Sequence, residues 1–302
     1  MIISMHIGAH CTNGPQLMRG LLKNKSILAE HGVEVPAPAR YRDILPEVMR
    51  QVKTEPASSD MQEMLLDQLL DHEDSSRVVL SYENVICRPH LVFENAALYS
   101  KANFKLPWLR NVFADHKVEF MIGLRNPATF IPEVFARCGA QTDFAAFMGG
   151  VDPLELRWSE FLTRIQEACP DVSLSCFVFE DTPITWAQVV RKISGLSPMV
   201  PIAGGLDQLG TLMQPEGMVR LRTFLKSHRP KTERQRDRIL SAFWEKYAMD
   251  AEMDLDIDLP DWDQHLVDEL TRSYERDLEF IEQMQGVKLI TQPALQPQEG
   301  VS

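Results

Sequence analysis

The sequence lacks the short motifs by which several common enzyme classes are recognised. It has no glycine-rich phosphate loop ending in Lys-Ser or Lys-Thr, no dinucleotide-binding G-x-G-x-x-G and no hydrolase G-x-S-x-G. These absences argue against ATP or GTP hydrolysis, dinucleotide-dependent chemistry and serine-hydrolase chemistry. Long apolar runs are also missing, because no window approaches the roughly 18 consecutive apolar residues of a membrane span.

Cysteines are few and scattered along the chain. Their odd number and the absence of C-x-x-C spacing argue against a disulfide framework and against a structural metal site. They predict a reducing, cytoplasmic compartment and no metal cofactor. The cysteines are Cys11, Cys87, Cys138, Cys169 and Cys176.

Basic residues are also fewer than acidic ones. Lys and Arg number 31 against 43 Asp and Glu, which gives a formal net charge of -12 at pH 7. This balance speaks against general nucleic-acid binding, although a nucleotide can still bind in a local basic pocket. The 44% hydrophobic and 25% charged fractions are those of an ordinary globular protein.

Four apolar runs predict buried parallel strands, because strands covered on both faces read as continuous hydrophobic stretches. Helical patterns separate them, which indicates an α/β fold with a doubly wound parallel sheet. Such sheets bind their ligands beyond the carboxyl ends of the strands. The predicted strands are 2–7, 77–81, 118–124 and 174–179, and the helical patterns cover about 15–31, 59–71, 101–114, 127–137, 153–168 and 186–193.

The strand signals end at about residue 196, and a Pro/Gly-rich connector then leads into further helical patterns. We interpret residues 1–290 as one domain, with a sheet core at 1–196 and a helical C-terminal extension at 211–290. The tail 291–302 is rich in Gln and Pro and is predicted to be disordered. The acidic stretch 250–263 lacks the glycine and the closing glutamate of a calcium loop, so we interpret it as a solvated edge.

Polar side chains follow each predicted strand. After the first strand, Asn13 is a candidate N-cap and Pro15 falls in the first turn of a helix. A helix start at this point can hold a phosphate, because the first-turn N–H groups have no partners within the helix. The other three strands are followed by Ser81-Tyr82-Glu83-Asn84, Arg125-Asn126-Pro127 and Glu180-Asp181.

In these segments the chain resembles the sulfotransferases that use 3′-phosphoadenosine 5′-phosphosulfate (PAPS), and the bacterial members most closely. Their first turn reads His-Ile-Gly-x-His-Lys-Thr-Gly-Thr-Thr, and their later strands end in Ser-x-Glu, Arg-Asn/Asp-Pro and Tyr/Phe-Glu-Asp. The corresponding segments are His6–Pro15, Ser81–Glu83, Arg125–Pro127 and Phe179–Asp181, and Tyr274–Leu278 resembles the family's last helix. The resemblance covers roughly residues 3–196, more weakly to about 290, and implies a P-loop NTPase-like fold.

The resemblance also implies transfer of a sulfuryl group from PAPS to a hydroxyl on a small-molecule, glycan or lipid acceptor. In-line transfer needs a cation and aligned N–H donors at the leaving phosphate, and a base at the acceptor hydroxyl. Glu83 corresponds to the base, His10 is a second catalytic candidate, and Arg125 corresponds to the ligand of the 3′-phosphate. The cradle for the 5′-phosphosulfate maps onto Ala9, His10, Cys11, Thr12, Asn13 and Gly14.

The chain departs from the family at positions that carry the chemistry. Cys11 stands where the family has its lysine, and Pro15 removes one N–H from the cradle. Glu133 stands eight positions after Arg125, where the family has a serine. Loss of one transition-state donor costs on the order of 3–4 kcal/mol. An alternative therefore stays open, in which the chain is a catalytically lapsed relative that acts as a binding or scaffolding module.

A basic segment over residues 220–238 is a candidate replacement for the missing lysine. In the family a late basic segment folds over the 3′-phosphate, which predicts cofactor contacts from Arg229 and Lys231. The plainer interpretation of this segment is a solvated helix face. Plainer interpretations also exist for Glu83, as a first-turn helix residue favoured by the dipole, and for Cys11, as a small buried filler.

Overall fold

The apolar runs of the sequence form one parallel sheet. The computed structural model describes residues 1–72, 74–139, 143–249, 259 and 262–292. In this part of the chain the strands are β1 (Ile2–His6), β2 (Val33–Glu34), β3 (Arg77–Ser81), β4 (Lys117–Leu124), β5 (Ser173–Val178) and β6 (Val287–Ile290). They lie in the order β2-β3-β1-β4-β5-β6, and every neighbouring pair is parallel.

Helices connect the strands and extend beyond them. The first eight are α1 (Gly14–Lys23), α2 (Lys25–Glu30), α3 (Ile44–Val52), α4 (Ser59–Leu69), α5 (Ala102–Val112), α6 (Pro127–Ala136), α7 (Phe144–Met148) and α8 (Trp158–Ala168). The others are α9 (Thr182–Ser194), α10 (Asp207–Leu212), α11 (Pro215–Ser227), α12 (Glu233–Tyr247) and α13 (Gln264–Gln283). Short 3₁₀ turns lie at Pro38–Arg40, Pro89–Leu91, Glu94–Ala96 and Pro153–Glu155.

Both faces of the sheet are covered by helices. On one face, Ile3 and Phe120 belong to a core that includes buried residues of α3, α5, α6 and α8. On the other, Met121 and Phe177 pack with buried residues of α1 and α9. Alternate residues of a strand point to opposite faces, so each central strand contributes to both cores. The predicted α/β fold with a doubly wound parallel sheet is confirmed.

The predicted helical C-terminal extension is also present. Helices α10, α11 and α12 pack on α9 through a small apolar cluster that includes Ile184, Leu221 and Leu240. The extension also contributes β6, a strand that the sequence analysis missed, which pairs with β5 at the edge of the sheet. Within the described residues, no helix is both long and apolar enough to cross a membrane.

Some boundaries differ from those predicted. The pattern over 15–31 predicts one helix, but the structure has two helices that meet at Asn24. The Asn24 side-chain amide donates to the Gly20 carbonyl at 2.7 Å and to the Ala203 carbonyl at 2.9 Å, and such side-chain bonds compete with helix continuation. Most of the acidic stretch 250–263, and the predicted disordered tail from residue 293 onward, lie outside the described residues.

The sheet topology determines where a ligand can bind. β1 lies between β3 and β4, with His6 opposite both Ser81 and Met121. The connections from β1 and from β4 therefore leave toward opposite edges of the sheet, which opens a crevice at the carboxyl end of β1. The polar segments that follow β1, β3 and β4 meet at this crevice.

A buried carboxyl between α9 and α12 predicts a pH dependence of stability. Asp237 is 3% exposed and accepts a hydrogen bond from Gln188 at 2.7 Å, and burial raises its pKa from 3.8 to about 6. The folded chain binds this proton more tightly than the unfolded chain. The stabilising contribution is therefore complete below about pH 4 and is lost as the pH rises to about 6.

At neutral pH we expect the free energy of unfolding of Asp237→Asn to exceed that of the parent by on the order of 2 kcal/mol. The variant should therefore unfold at a higher urea concentration. The difference should shrink toward zero near about pH 4, where both chains are uncharged at this position. Urea unfolding across this range measures it, with Asp67→Asn, an exposed position, as the matched control. A difference that does not vary with pH would contradict the assignment.

Candidate functional site

The turn between β1 and α1, residues 7–13, runs alongside β4 at the crevice. The Ile7 amide donates to the Met121 carbonyl at 2.9 Å, and the Gly123 amide donates to the Gly8 carbonyl at 2.8 Å. Thr12 fills the space beside Gly123, and a Cβ on that glycine would lie 2.4 Å from Thr12 Oγ1. Because Gly123 has no side chain, the turn can lie directly on the strand.

Helix α1 begins where the sequence predicts a phosphate-binding helix start. Asn13 is the N-cap residue, in the left-handed conformation with φ 65° and ψ 23°, and its side chain donates to Thr182 Oγ1 at 3.2 Å rather than capping the helix. Pro15 lies in the first turn and contributes no N–H. The remaining first-turn amides give this end of the helix a partial positive charge that favours an anion.

Arg125 braces the turn from the end of β4. Its Nη1 donates to the Cys11 carbonyl at 2.9 Å and its Nε donates to Thr129 Oγ1 at 3.0 Å. The guanidinium also lies over the Phe179 ring, 4.3 Å from the centroid, and the residue is 5% exposed. In this conformation Arg125 holds the turn in place, with part of its hydrogen-bonding capacity already used.

His10, a predicted catalytic and cofactor-binding residue, is held in a closed hydrogen-bond network. Its Nε2 lies 2.9 Å from Asn84 Oδ1 and its Nδ1 lies 2.8 Å from the Tyr99 hydroxyl. Since an amide oxygen only accepts, Nε2 carries the proton and Nδ1 accepts from Tyr99. Burial lowers the pKa of His10. Both ring nitrogens are therefore engaged, which leaves none for a substrate proton.

Glu83 lies directly over the start of α1. Its Oε2 would be 3.1 Å from a Cβ placed on Gly14, and this oxygen is buried without a hydrogen-bond partner among the described residues. Beneath it, the His6 ring is fully buried, with Nδ1 3.0 Å from Ser81 Oγ. Burial, aided by the charge of Arg42, lowers the pKa of His6 to about 4. Glu83 thus places a buried carboxylate oxygen, without a partner among the described residues, beside the start of α1.

Cys11 brings no charge to the turn. Its side chain is 4% exposed, and burial raises the pKa of the thiol to about 12. Burial raises the pKa of Cys11 and lowers the pKa of Arg125; the charge of the Glu133 carboxylate adds to the first shift and opposes the second. Glu133 is therefore close enough to the turn for its negative charge to be felt where a phosphate would bind.

A cation that the sequence analysis missed stands beside Cys11. Arg137, at the end of α6, lies with Nη1 3.5 Å from Glu83 Oε1, and its side chain is 39% exposed. The charge of Arg137 opposes the rise that burial causes in the pKa of Cys11 and adds to the lowering that burial causes in the pKa of His10. It lies twelve positions after Arg125 in the sequence, where no motif marks it. Only the course of α6 brings its guanidinium back to the turn.

A second missed cation lines a cleft on the other side of Glu83. Arg42 donates from Nε and Nη2 to the Ser81 carbonyl, at 3.2 and 2.8 Å. The cleft, which we call the Arg42 cleft, has a volume of about 220 Å³. Its lining residues are Gly14, Pro15, Met18, Pro38, Arg42, Ser81 and Glu83.

The predicted basic residues of the extension lie elsewhere. Arg229 and Lys231 fall between α11 and α12, where the Lys231 amide donates to Gln235 Oε1 at 2.8 Å. Among the described residues, no hydrogen bond or ion pair links either side chain to residues 9–14. The same part of the chain contains no group of three or more His, Cys, Asp or Glu side chains arranged to hold a metal ion.

The environment of Cys11 predicts an unreactive thiol. With a pKa of about 12, only about one molecule in 10⁵ carries the thiolate at neutral pH. We expect iodoacetamide to leave Cys11 unmodified in the folded chain and to alkylate it in urea. Peptide mass spectrometry measures both states. Rapid labelling of Cys11 in the folded chain would contradict the assignment.

Comparison with known proteins adds one structural likeness. No family model matches the chain, and no curated protein matches it. Among solved structures, it is similar to a sulfotransferase from Alicyclobacillus acidocaldarius, with 14% sequence identity, a TM-score of 0.37 and coverage of 80% of this chain and 98% of that chain. A likeness at this level does not assign the chain to a family.

Proposed function

We propose that the chain binds PAPS at the β1–α1 turn and transfers its sulfuryl group to a hydroxyl of a small-molecule, glycan or lipid acceptor. The observation that carries this proposal is the position of Glu83. Its unpartnered Oε2 lies over the start of α1, and its Oε1 lies 3.5 Å from the Arg137 guanidinium. A base, a cation and a helix N-terminus are thus side by side.

The reaction needs each of these groups. The acceptor oxygen attacks sulfur, the bond from sulfur to the 5′-phosphate oxygen breaks, and 3′,5′-adenosine bisphosphate leaves. Glu83 takes the proton of the acceptor hydroxyl. Arg137 and the amides at the start of α1 stabilise the negative charge that develops on the leaving phosphate. Arg137 therefore supplies the positive charge at the leaving phosphate, which Cys11 cannot supply at the position of the family's lysine.

The residues present suit a phosphosulfate in part. The start of α1 offers aligned amides, and Arg125 and Arg137 offer cations. Glu133 opposes them with a carboxylate close to Cys11 and Arg125. We leave His10 out of the catalytic set because both of its ring nitrogens are engaged. Arg229 and Lys231 stay predictions without a described contact to the turn.

The alternative is a catalytically lapsed chain that acts as a binding or scaffolding module, and in the form that this site supports it binds a nucleotide without turning it over. Its support is the buried, uncharged thiol of Cys11, together with the carboxylate of Glu133 beside Arg125. Arg137 is paired with Glu83 in this conformation, so it has to leave that pair, at least in part, to reach a leaving phosphate. A chain in which it does not move would bind without catalysis.

Binding of 3′,5′-adenosine bisphosphate, measured by calorimetry, tests the shared premise of both alternatives. We expect a micromolar Kd for the parent chain, and about tenfold or weaker binding for Arg137→Gln, since a charge-assisted hydrogen bond contributes about 1.5–3 kcal/mol. Arg125→Ala should abolish binding because it removes the proposed contact to the 3′-phosphate and also the hydrogen bond that holds the Cys11 carbonyl of the turn. Arg19→Ala, an exposed arginine on α1, is the matched control. No binding by the parent at millimolar nucleotide would refute the proposal.

Turnover of PAPS separates the enzyme from the binding module. With a panel of hydroxylated acceptors, we expect Glu83→Gln to lower kcat by about 10²–10⁴-fold, the usual contribution of a general base. Affinity for 3′,5′-adenosine bisphosphate should not fall in this variant, because a negative charge beside the phosphate is removed. A parent chain that binds the nucleotide but turns over no acceptor would favour the binding module.

A further inference from the structure

We propose that the Arg42 cleft binds the acceptor through an oxyanion, a carboxylate, sulfate or phosphate group, that the Arg42 guanidinium holds while the acceptor hydroxyl faces Glu83. The class of acceptor is then a hydroxylated anion. The orientation toward Glu83 rests on the proposed function. Anion binding at Arg42 is independent of it.

The unmatched charge in the cleft is that of Arg42. Glu83, the carboxylate of the lining, already pairs with Arg137 at 3.5 Å. Arg42 is half-buried, and within the described ranges no carboxylate oxygen lies within 4.0 Å of its guanidinium. A half-buried cation without a counterion favours an anion from solution. The start of α1, at Gly14 and Pro15 in the same lining, adds a partial charge of the same sign.

The guanidinium of Arg42 is held in a defined orientation. Nε and Nη2 both donate to the Ser81 carbonyl, and Cζ lies 5.7 Å from the centroid of the Tyr82 ring. Nη1 takes no part in the two bonds to the Ser81 carbonyl, so its N–H groups can turn toward a ligand. A guanidinium fixed on one edge and free on the other is suited to a planar or tetrahedral oxyanion.

The size of the cleft restricts the ligand further. Its volume of about 220 Å³ is below the range of roughly 300–1,000 Å³ typical of pockets for drug-sized ligands. The cleft therefore fits a small hydroxylated anion, or the anionic end group of a larger molecule. Pro15, Met18 and Pro38 supply apolar lining, and Arg42 and Glu83 supply charged groups of opposite sign.

Nuclear magnetic resonance of the full-length, ¹⁵N-labelled chain tests anion binding directly. Acetate, sulfate and phosphate are titrated separately at constant ionic strength, with and without 3′,5′-adenosine bisphosphate. We expect millimolar binding that shifts the amides of Gly14 and Met18 and the Nε–H of Arg42. The three anions distinguish a carboxylate site from a sulfate or phosphate site.

Two variants and one control make the assignment specific. Arg42→Gln should weaken anion binding about tenfold or more, and Arg42→Lys should keep part of it. Arg42→Gln is expected to fold, because the Tyr41 hydroxyl also donates to the Ser81 carbonyl, at 2.9 Å. Arg40→Gln is the matched control, because Arg40 pairs with Asp71 at 2.7 Å and does not line the cleft.

The outcomes separate the two proposals. Shifts at Gly14 and Met18 that are lost in Arg42→Gln support the anion site, even if 3′,5′-adenosine bisphosphate fails to bind and the proposed function falls. The anion site would be overturned if none of the three anions shifted these amides. It would also be overturned if the shifts were identical in the parent and in Arg42→Gln. Shifts confined to residues 9–13 would also overturn it, because they would locate the anion at the turn alone.

Discussion

The central position of β1 is the constraint on which the site depends. β1 is hydrogen-bonded on both sides, so the chain that follows it must turn within the crevice between the ends of β3 and β4. The turn can lie against β4 because Gly123 has no side chain, and Arg125 then holds it through the Cys11 carbonyl. The start of α1, Glu83 and the end of β4 are brought together as a consequence.

The charges around this turn are arranged differently from those of the family that the sequence resembles. The position of the family's lysine carries an uncharged, buried thiol, and Arg137 comes back from the end of α6 to stand beside it. Glu83 lies between Arg137 on one side and the Arg42 cleft on the other. In the proposed reaction, Arg137 serves the leaving phosphate and Arg42, in the same cleft lining as Glu83, serves an anionic acceptor.

Much of the fold was predictable because burial on both faces leaves an apolar signature. The runs at β1, β3, β4 and β5 are each within one residue of the observed bounds. β2 is buried but has only two residues, and β6 has four residues with the exposed Lys288 among them, so neither strand shows such a pattern. The division at Asn24 depends on the Ala203 carbonyl, a partner 179 positions away, which no local pattern indicates.

The candidate site was predictable only where it follows a strand end. Glu83 and Arg125 could be named because parallel strands bring their carboxyl ends to one edge. Arg42 and Arg137 could not, since the first follows a 3₁₀ turn and the second ends a helix, and only packing directs them to the crevice. The closed network around His10 was equally hidden, because Tyr99 lies 89 positions away in the sequence.

Hydrogen exchange with and without 3′,5′-adenosine bisphosphate is the decisive measurement for phosphate binding at the β1–α1 turn, because it reads the amides of that turn. We expect slower exchange in a peptide covering residues 7–18, because the amides at the start of α1 become hydrogen-bonded to a phosphate. Peptides from α11 and α12 should exchange unchanged. Unaltered exchange over residues 7–18, at nucleotide concentrations that saturate binding, would show that the phosphate does not bind at this turn.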